Sequence, residues 1–390
     1  MKGQKMDPQF GMENSIEVSV ILPALDEERT IGECITKIQK VFHDNAIKGE
    51  IIIADSSTDR TPEIAESLGA KVFQVEKNGY GNAYLTGFKH VKGRYIFMGD
   101  ADNTYDFFDI PKLLAPLRSG ADFVVGSRFK GIIHKGSMDG LHRYIGNPLL
   151  TLMINAFFHT SFSDTHSGFR AITRDGFNRL TLKSGGMEFA SEMLVMASKE
   201  RLKIVEVPID YYPRLTPSKL HSFADGWRHI RFVLLMKPLP FVAIPGFLFT
   251  LIGLFLMTFF YTQGDIESSH LHTFILGAIL LMVGIQVILS GFLMKTYSVI
   301  HGYENKKGII EILMKYHNLE IFLLLGFFSV FIGILIGLKI FLQWVSTSFG
   351  ILLEISTAIV SLVFIVTGIQ IFLFAVFQSM MLLNETNNNE

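Results

Sequence analysis

Apolar residues are distributed in two different ways along this 390-residue chain. Up to about residue 236 they form short runs separated by polar and amphipathic stretches. Beyond Lys237 they are nearly continuous, broken by three short polar segments. In the first part, the runs at 18–22, 50–54, 71–75, 95–98 and 123–125 predict strands. The stretches at 31–42, 61–68, 81–91 and 110–118 predict the helices between them. Apolar strands separated by single amphipathic helices imply an α/β domain, with a largely parallel sheet covered on both faces. A further strand-like run, 205–212, closes the domain.

The second part contains four apolar stretches, 239–262, 271–294, 319–344 and 350–382, each of the length a bilayer core demands. Buried helices of a soluble domain are seldom so long and so free of charge. The turns 263–270 and 345–349 carry no Lys or Arg, whereas the connection 295–317 carries Lys295, Lys306, Lys307 and Lys315. The positive-inside rule puts that connection in the cytoplasm. With four spans, the large N-terminal domain and both termini then lie on the cytoplasmic side of an integral, multi-pass membrane protein. Lys339 and Glu354 fall near the outer span ends, where snorkelling accounts for Lys339. Segment 222–236, with Trp227, Arg228, His229 and Arg231 among apolar residues, suits a helix in the headgroup layer, or a plain linker into the first span. The expected layout is a polar tail (1–17), a catalytic domain (18–221), an interfacial helix (222–236), a four-helix membrane domain (237–382) and a polar tail (383–390).

Composition adds exclusions. A net charge of -1 gives no global field for nucleic acid. A single cysteine, Cys34, excludes an internal disulfide framework and fits a reducing compartment. The polar stretch 1–17 lacks the apolar core of a signal peptide.

Ligands on such a sheet bind at the carboxyl ends of its strands, and polar residues collect there. The first strand ends in Pro23, Asp26, Glu27 and Glu28, and the second in Asp55, Ser56, Ser57, Thr58 and Asp59. The strand at 95–98 ends in Asp100, Ala101, Asp102, Asn103 and Thr104. Three acidic clusters at one sheet edge repel one another and favour a cation. Asp100 and Asp102, two residues apart on a turn after a buried strand, can share a hard divalent ion that would stabilise a diphosphate leaving group. Asp55 can accept an N–H from a nucleobase edge, while Asp59 is better placed to cap the helix beginning near Thr61. The segment 77–82, KNGYGN, has the form of a glycine loop opening a helix, or of an ordinary loop. Asp164 could act as a base or orient its loop, His166 reads as a loop contact, and Glu188 and Glu192 share a helix face at i, i+4.

The segments 22–28, 54–61, 77–83, 100–102, 126–129, 164–170 and 214–220 fall in the order of the family 2 glycosyltransferases. Residues 16–236 resemble most the polyprenyl-phosphate (dolichyl-phosphate) mannose, glucose and N-acetylglucosamine synthases. The resemblance implies a GT-A fold, an inverting reaction and Mg²⁺ or Mn²⁺. It implies that Pro23, Leu25, Glu27, Ile53 and Asp55 line the nucleotide pocket. Asp100, Ala101, Asp102 and Thr104 would surround the metal diphosphate, with Asp100 and Asp102 as its ligands. Arg128 would serve the phosphates and count, with Asp100, Asp102 and Asp164, among the catalytic groups. Arg214 and Lys219 would take the acceptor phosphate. Leu25 stands where many relatives have an aromatic residue, and Thr104 where some mannose synthases have a glutamine ligand.

The expected function is therefore transfer of one sugar from a nucleotide-sugar to dolichyl or polyprenyl phosphate. UDP-glucose or UDP-N-acetylglucosamine is favoured over GDP-mannose. Nucleic acid is not a partner, and a homo-oligomer is compatible with the sequence. The alternatives are another lipid acceptor, a growing polysaccharide, or an inactive membrane scaffold. Processive synthases resemble one another in a Gln-x-x-Arg-Trp motif that this chain lacks, and every acidic position of the active-site pattern is filled.

Overall fold

A computed structural model of the full chain describes residues 16–76, 79–215, 222–264, 266–304, 311, 312, 314, 316–350 and 354–386. It divides into two compact units, Met1–Phe232 and Val233–Glu390.

The first unit is built on a seven-stranded sheet: β1 (Val18–Ala24), β2 (Gly49–Asp55), β3 (Lys71–Gln74), β4 (Tyr95–Met98), β5 (Phe123–Ser127), β6 (Arg170–Thr173) and β7 (Ile204–Pro208). The spatial order is β3-β2-β1-β4-β6-β5-β7. All pairings are parallel except those of β6, which runs antiparallel between β4 and β5. The strands β1, β4 and β5 are mainly apolar because both faces are covered, and the two-residue period sorts their side chains between two cores. Val18, Val20 and Leu22 of β1, Tyr95 and Phe97 of β4, and Val124 of β5 enter one core. It is completed by α1 (Ile31–Asp44) and α4 (Ile110–Arg118), with α2 (Thr61–Ser67) alongside. Ile21, Ile96, Met98, Phe123 and Val125 enter the other, against α3 (Tyr80–Phe88) and α7 (Phe189–Lys199). The short α6 (Arg174–Asn178) follows β6.

Sequence periodicity does not show α5 (Asn147–Phe158), and the structure explains why. Its buried residues are Thr151 and Ile154, while Leu149 and Leu152 face outward, with Leu141, Tyr144 and Ile145 exposed just before it. A helix apolar on its outer face has no amphipathic signature. Helix α8 (Ser222–Met236) follows, with Trp227 and Arg228 exposed and His229 buried.

The second unit contains α9 (Ile244–Gln263), α10 (Leu271–Ile300), α11 (Tyr316–Ser346) and α12 (Ile355–Thr386). Four segments are long and apolar enough to cross a membrane: Leu239–Gln263, Leu271–Ile300, Leu319–Ser346 and Ile355–Leu383. Lipid tails are as apolar as Leu, so such helices associate by close packing of small residues. A Cβ on Gly253 of α9 would lie 2.4 Å from the Leu281 nitrogen of α10, and one on Gly326 of α11 would lie 2.8 Å from the Gly368 carbonyl of α12.

Candidate active site

The loops after β1 and β2 are laced together at the carboxyl edge of the sheet. Asp26, in the left-handed region at φ 49°, accepts from the Thr58 N–H (2.8 Å), and its own N–H donates to Ser57 Oγ. The Glu27 N–H donates to Thr61 Oγ1 and the Glu28 N–H to Asp59. Asp59 also accepts from the Thr61 N–H (3.0 Å) at the start of α2. Asp55 is left to a different role. It is fully buried, its Oδ2 accepts from Gln74 Nε2 (3.0 Å), and its Oδ1 has no hydrogen-bond partner among the described residues. A buried acceptor without a donor costs roughly 1–3 kcal/mol, so Asp55 offers one place for an incoming N–H.

The turn after β4 holds Asp100 and Asp102 in different surroundings. Asp102 is buried; its Oδ1 accepts from the N–H (3.1 Å) and hydroxyl (2.6 Å) of Thr104. Asn103 takes a left-handed conformation (φ 61°) and accepts from Lys37 Nζ (2.8 Å), tying the turn to α1. Asp100 accepts from the Tyr80 hydroxyl (3.2 Å). Burial, and secondarily the Asp102 charge, push the Asp100 carboxyl up to about 7. Gly168 closes over it: a Cβ there would sit 2.9 Å from Asp100 Oδ2. Thr104 turns its hydroxyl inward, so it orients Asp102 rather than reaching outward as a ligand of its own.

Arg214 arrives from far along the chain. The Ile209 N–H donates to Ser127 O, the Tyr211 N–H to Ile132 O and the Tyr212 N–H to Thr104 O (2.9 Å), which lays this segment beside the acidic turn. Arg214 then bridges Glu27 (Nη2 to Oε1, 3.0 Å) and Asp102 (Nε to Oδ2, 3.1 Å). The Asp102 contact is an ion pair without hydrogen-bond alignment, since Nε has no hydrogen-bond partner among the described residues. Lys219, expected beside Arg214, lies outside the described residues, as do Lys77 and Asn78.

Arg128 and Asp164 find each other. Arg128 Nε and Nη2 donate to the two Asp164 oxygens (2.8 and 2.9 Å), and the Arg128 and His166 N–H groups add two more donors. Both residues are buried, and Arg128 also lies over the Tyr211 ring (5.1 Å). Burial alone would raise the Asp164 carboxyl, but the Arg128 charge outweighs it and holds the group below the usual carboxylate range. Such a carboxylate orients its loop; it is poorly placed to take a proton as a base. The same loop is pinned by Arg170, which donates to the carbonyls of Ser167, Ala190 and Thr165. His166 stays neutral because of burial and the neighbouring His229, and its ring meets His229 edge-on at 4.5 Å.

The glycines of 79–82 allow a close approach of this loop to residues 184–185. A Cβ on Gly81 would lie 2.1 Å from the Ser184 carbonyl, and the Asn82 N–H donates to Gly185 O. Glu192 is not on a solvated face: it is buried and accepts the N–H groups of Lys183 and Ser184. Glu188 keeps one buried oxygen, Oε2, without a partner among the described residues. Sequence reasoning singled out neither Tyr80, Tyr105 (whose hydroxyl accepts the Gly168 N–H, 2.7 Å) nor Arg170 as site residues. Tyr80 and Arg170 nevertheless sit inside the segments that carried the resemblance.

Among the described residues no three His, Cys, Asp or Glu side chains converge as a metal cage. Asp100 and Asp102 provide two carboxylates whose mutual repulsion a divalent cation would relieve, and a diphosphate could complete its oxygen shell.

Residues 19–181 match Glycosyl transferase family 2, and residues 292–382 match the Glycosyltransferase family 2 C-terminal transmembrane region. The chain is 46% identical over 277 residues to the low-salt glycan biosynthesis hexosyltransferase Agl6 of Haloferax volcanii, covering 70% of this chain and 67% of that protein. It is 32% identical to glycosyltransferase AglJ of the same organism, over 74% of this chain and 96% of that one. It is also 31% identical to a Haloferax volcanii dolichyl-phosphate hexose transferase, over 54% and 89%. Among solved structures, glucosyl-3-phosphoglycerate synthase from Mycobacterium tuberculosis in complex with Mn²⁺, UDP and glucosyl-3-phosphoglycerate is 26% identical, with a TM-score of 0.46 over 56% of this chain and 78% of that one. A mixed sheet with its acidic turn at the carboxyl edge, followed by four apolar helices, defines a membrane-bound GT-A enzyme. The chain belongs to the family 2 glycosyltransferases and is an integral membrane protein.

Proposed function

We propose that this enzyme transfers a single hexose from a UDP-sugar, with inversion, to a polyprenyl or dolichyl monophosphate. The observation that carries the donor assignment is Asp55: one of its oxygens is taken by Gln74 and the other has no partner among the described residues. A single free acceptor suits the lone N3–H of uracil better than a guanine edge, which presents two donors to a carboxylate. UDP-glucose and UDP-N-acetylglucosamine are favoured over GDP-mannose. Pro23, Leu25, Glu27 and Ile53 would line the nucleotide pocket with Asp55, and Ala101 and Thr104 would flank the diphosphate.

The acceptor assignment rests on chemistry and on relatives named for dolichyl phosphate. A phosphomonoester has a second pKa of about 6, so its oxygen is anionic at pH 7 and needs no general base. This fits a site whose best base candidate, Asp164, is buried and paired. The protein's task is then positioning and charge stabilisation. Bound at Asp100 and Asp102, Mg²⁺ or Mn²⁺ would neutralise the departing diphosphate. Arg214, at present bridging Glu27 and Asp102, would turn to a phosphate once those carboxylates are otherwise engaged, with Lys219 as its neighbour. The exposed apolar face of Leu141, Tyr144, Ile145, Leu149 and Leu152 suits a catalytic unit that works against a bilayer. Cytoplasmic placement of this unit and of both termini follows from the loop lysines.

Incubating membranes with labelled UDP-glucose, UDP-N-acetylglucosamine and GDP-mannose tests the reading. Label from a UDP-sugar should enter organic solvent in proportion to added polyprenyl phosphate. Label from GDP-mannose alone would overturn the donor, and label in a water-soluble polymer would overturn the acceptor.

A further inference from the structure

Helix α10 is 30 residues long, about 45 Å at 1.5 Å per residue, and outruns a hydrocarbon core of roughly 30 Å. Turns at one or both of its ends must therefore reach headgroup level, and near its carboxyl end it buries a lysine. The Lys295 side chain is 9% exposed. The helix ends in a turn at Gly302 (φ 68°), where the Tyr303 N–H returns to Ser298 O (2.9 Å). That turn carries Glu304 back against Lys295, and the same carboxylate lies 3.6 Å from Lys237 Nζ. Among the described residues, Glu304 is the one carboxylate in ion-pairing range of either lysine. Two ammonium groups thus share one negative charge. Ser298, one helical turn from Lys295, is fully buried, with no partner for its hydroxyl among the described residues.

We propose that Lys237 and Lys295 form a binding site for the phosphate headgroup of a lipid, with Glu304 as the counter-ion that the phosphate displaces. A buried ammonium needs an anion, and one carboxylate leaves the pair a net positive charge. A phosphate carries enough charge and enough acceptor oxygens to serve both lysines and the Ser298 hydroxyl. The side chains of Lys237 and Glu304, 33% and 16% exposed, leave the cluster open to an incoming headgroup. This site is built from residues of the membrane unit alone and uses none of the residues assigned to the acceptor phosphate, so it goes beyond the acceptor reading.

The test uses the full-length enzyme in phosphatidylcholine nanodiscs without any nucleotide-sugar, so its result is independent of transfer. Binding of a fluorescent polyprenyl monophosphate is measured, with competition by phosphatidylglycerol placed in the disc and by inorganic phosphate. Lys237→Ala should weaken lipid binding about tenfold. Glu304→Gln should tighten it several-fold, because the competing carboxylate is gone. A purely structural ion pair predicts the opposite for Glu304→Gln: a lower melting temperature and no gain in binding. Lys237 and Glu304 are partly exposed, so the test does not depend on a Lys295 variant that fails to fold. Preferential competition by phosphatidylglycerol would identify a bulk-lipid site, and its failure to compete a polyprenyl phosphate site. Equal competition by inorganic phosphate, or no response to either substitution, would overturn the proposal.

Discussion

Replacing Asp164 by Asn changes two atoms of charge character and almost no volume, so it isolates what the buried pair with Arg128 contributes. In the native chain the carboxylate receives two guanidinium donors at 2.8 and 2.9 Å and the Arg128 N–H at 3.1 Å. An asparagine can accept at one oxygen only, and its amide N–H groups would face the guanidinium donors. The Arg128 charge would then be buried without compensation. Breaking one side of a buried ion pair costs about 3–5 kcal/mol. For a unit of this size each kcal/mol corresponds to about 2–4 °C in melting temperature, so Asp164→Asn should melt roughly 10 °C lower. Scanning fluorimetry of detergent-solubilised full-length enzyme reads this directly. The double variant Arg128→Met/Asp164→Leu should recover part of the loss, because no charge is left stranded. An unchanged melting temperature in Asp164→Asn, or a double variant as unstable as the sum of the singles, would refute the pairing as the loop's anchor.

Asp102→Ala should abolish transfer while the protein stays folded, since removing it also relieves repulsion on Asp100; full activity of that variant in EDTA would sink the metal assignment. Gly81→Ala should disrupt both activity and stability, because its Cβ would lie 2.1 Å from the Ser184 carbonyl; a melting temperature and turnover equal to wild type would show that the 184–185 loop can yield. Burial, and then Arg170, hold the His229 imidazole down at about 4, below its unfolded value near 6.5. The unfolded chain therefore binds the proton first, and stability is full above about 6.5 and lost as pH falls toward 4, by up to about 3 kcal/mol. His229→Gln should flatten that part of the pH–melting curve, and an identical slope in the variant would count against it.

The sequence by itself determined the two-part architecture and most of the sheet. Continuous apolar runs such as that of β1 are legible because both faces are buried, and spans are legible because a bilayer demands length and lack of charge. The acidic residues at the strand ends were legible too, since Asp55 closes β2 and Asp100 and Asp102 come just after β4. The place of β6 was not legible: a four-residue strand running antiparallel between β4 and β5 is chosen by pairing with both neighbours, and no local pattern records it. Nor did α5 stand out, because periodicity reports only a helix whose apolar face turns inward. Pairing of charges was the tertiary structure's decision as well. Arg214 meets Glu27 across 187 positions of sequence, and Arg128 meets Asp164 across 36. Local sequence can supply a cation and an anion, but which two share a low-dielectric interior depends on how distant strands and loops are stacked.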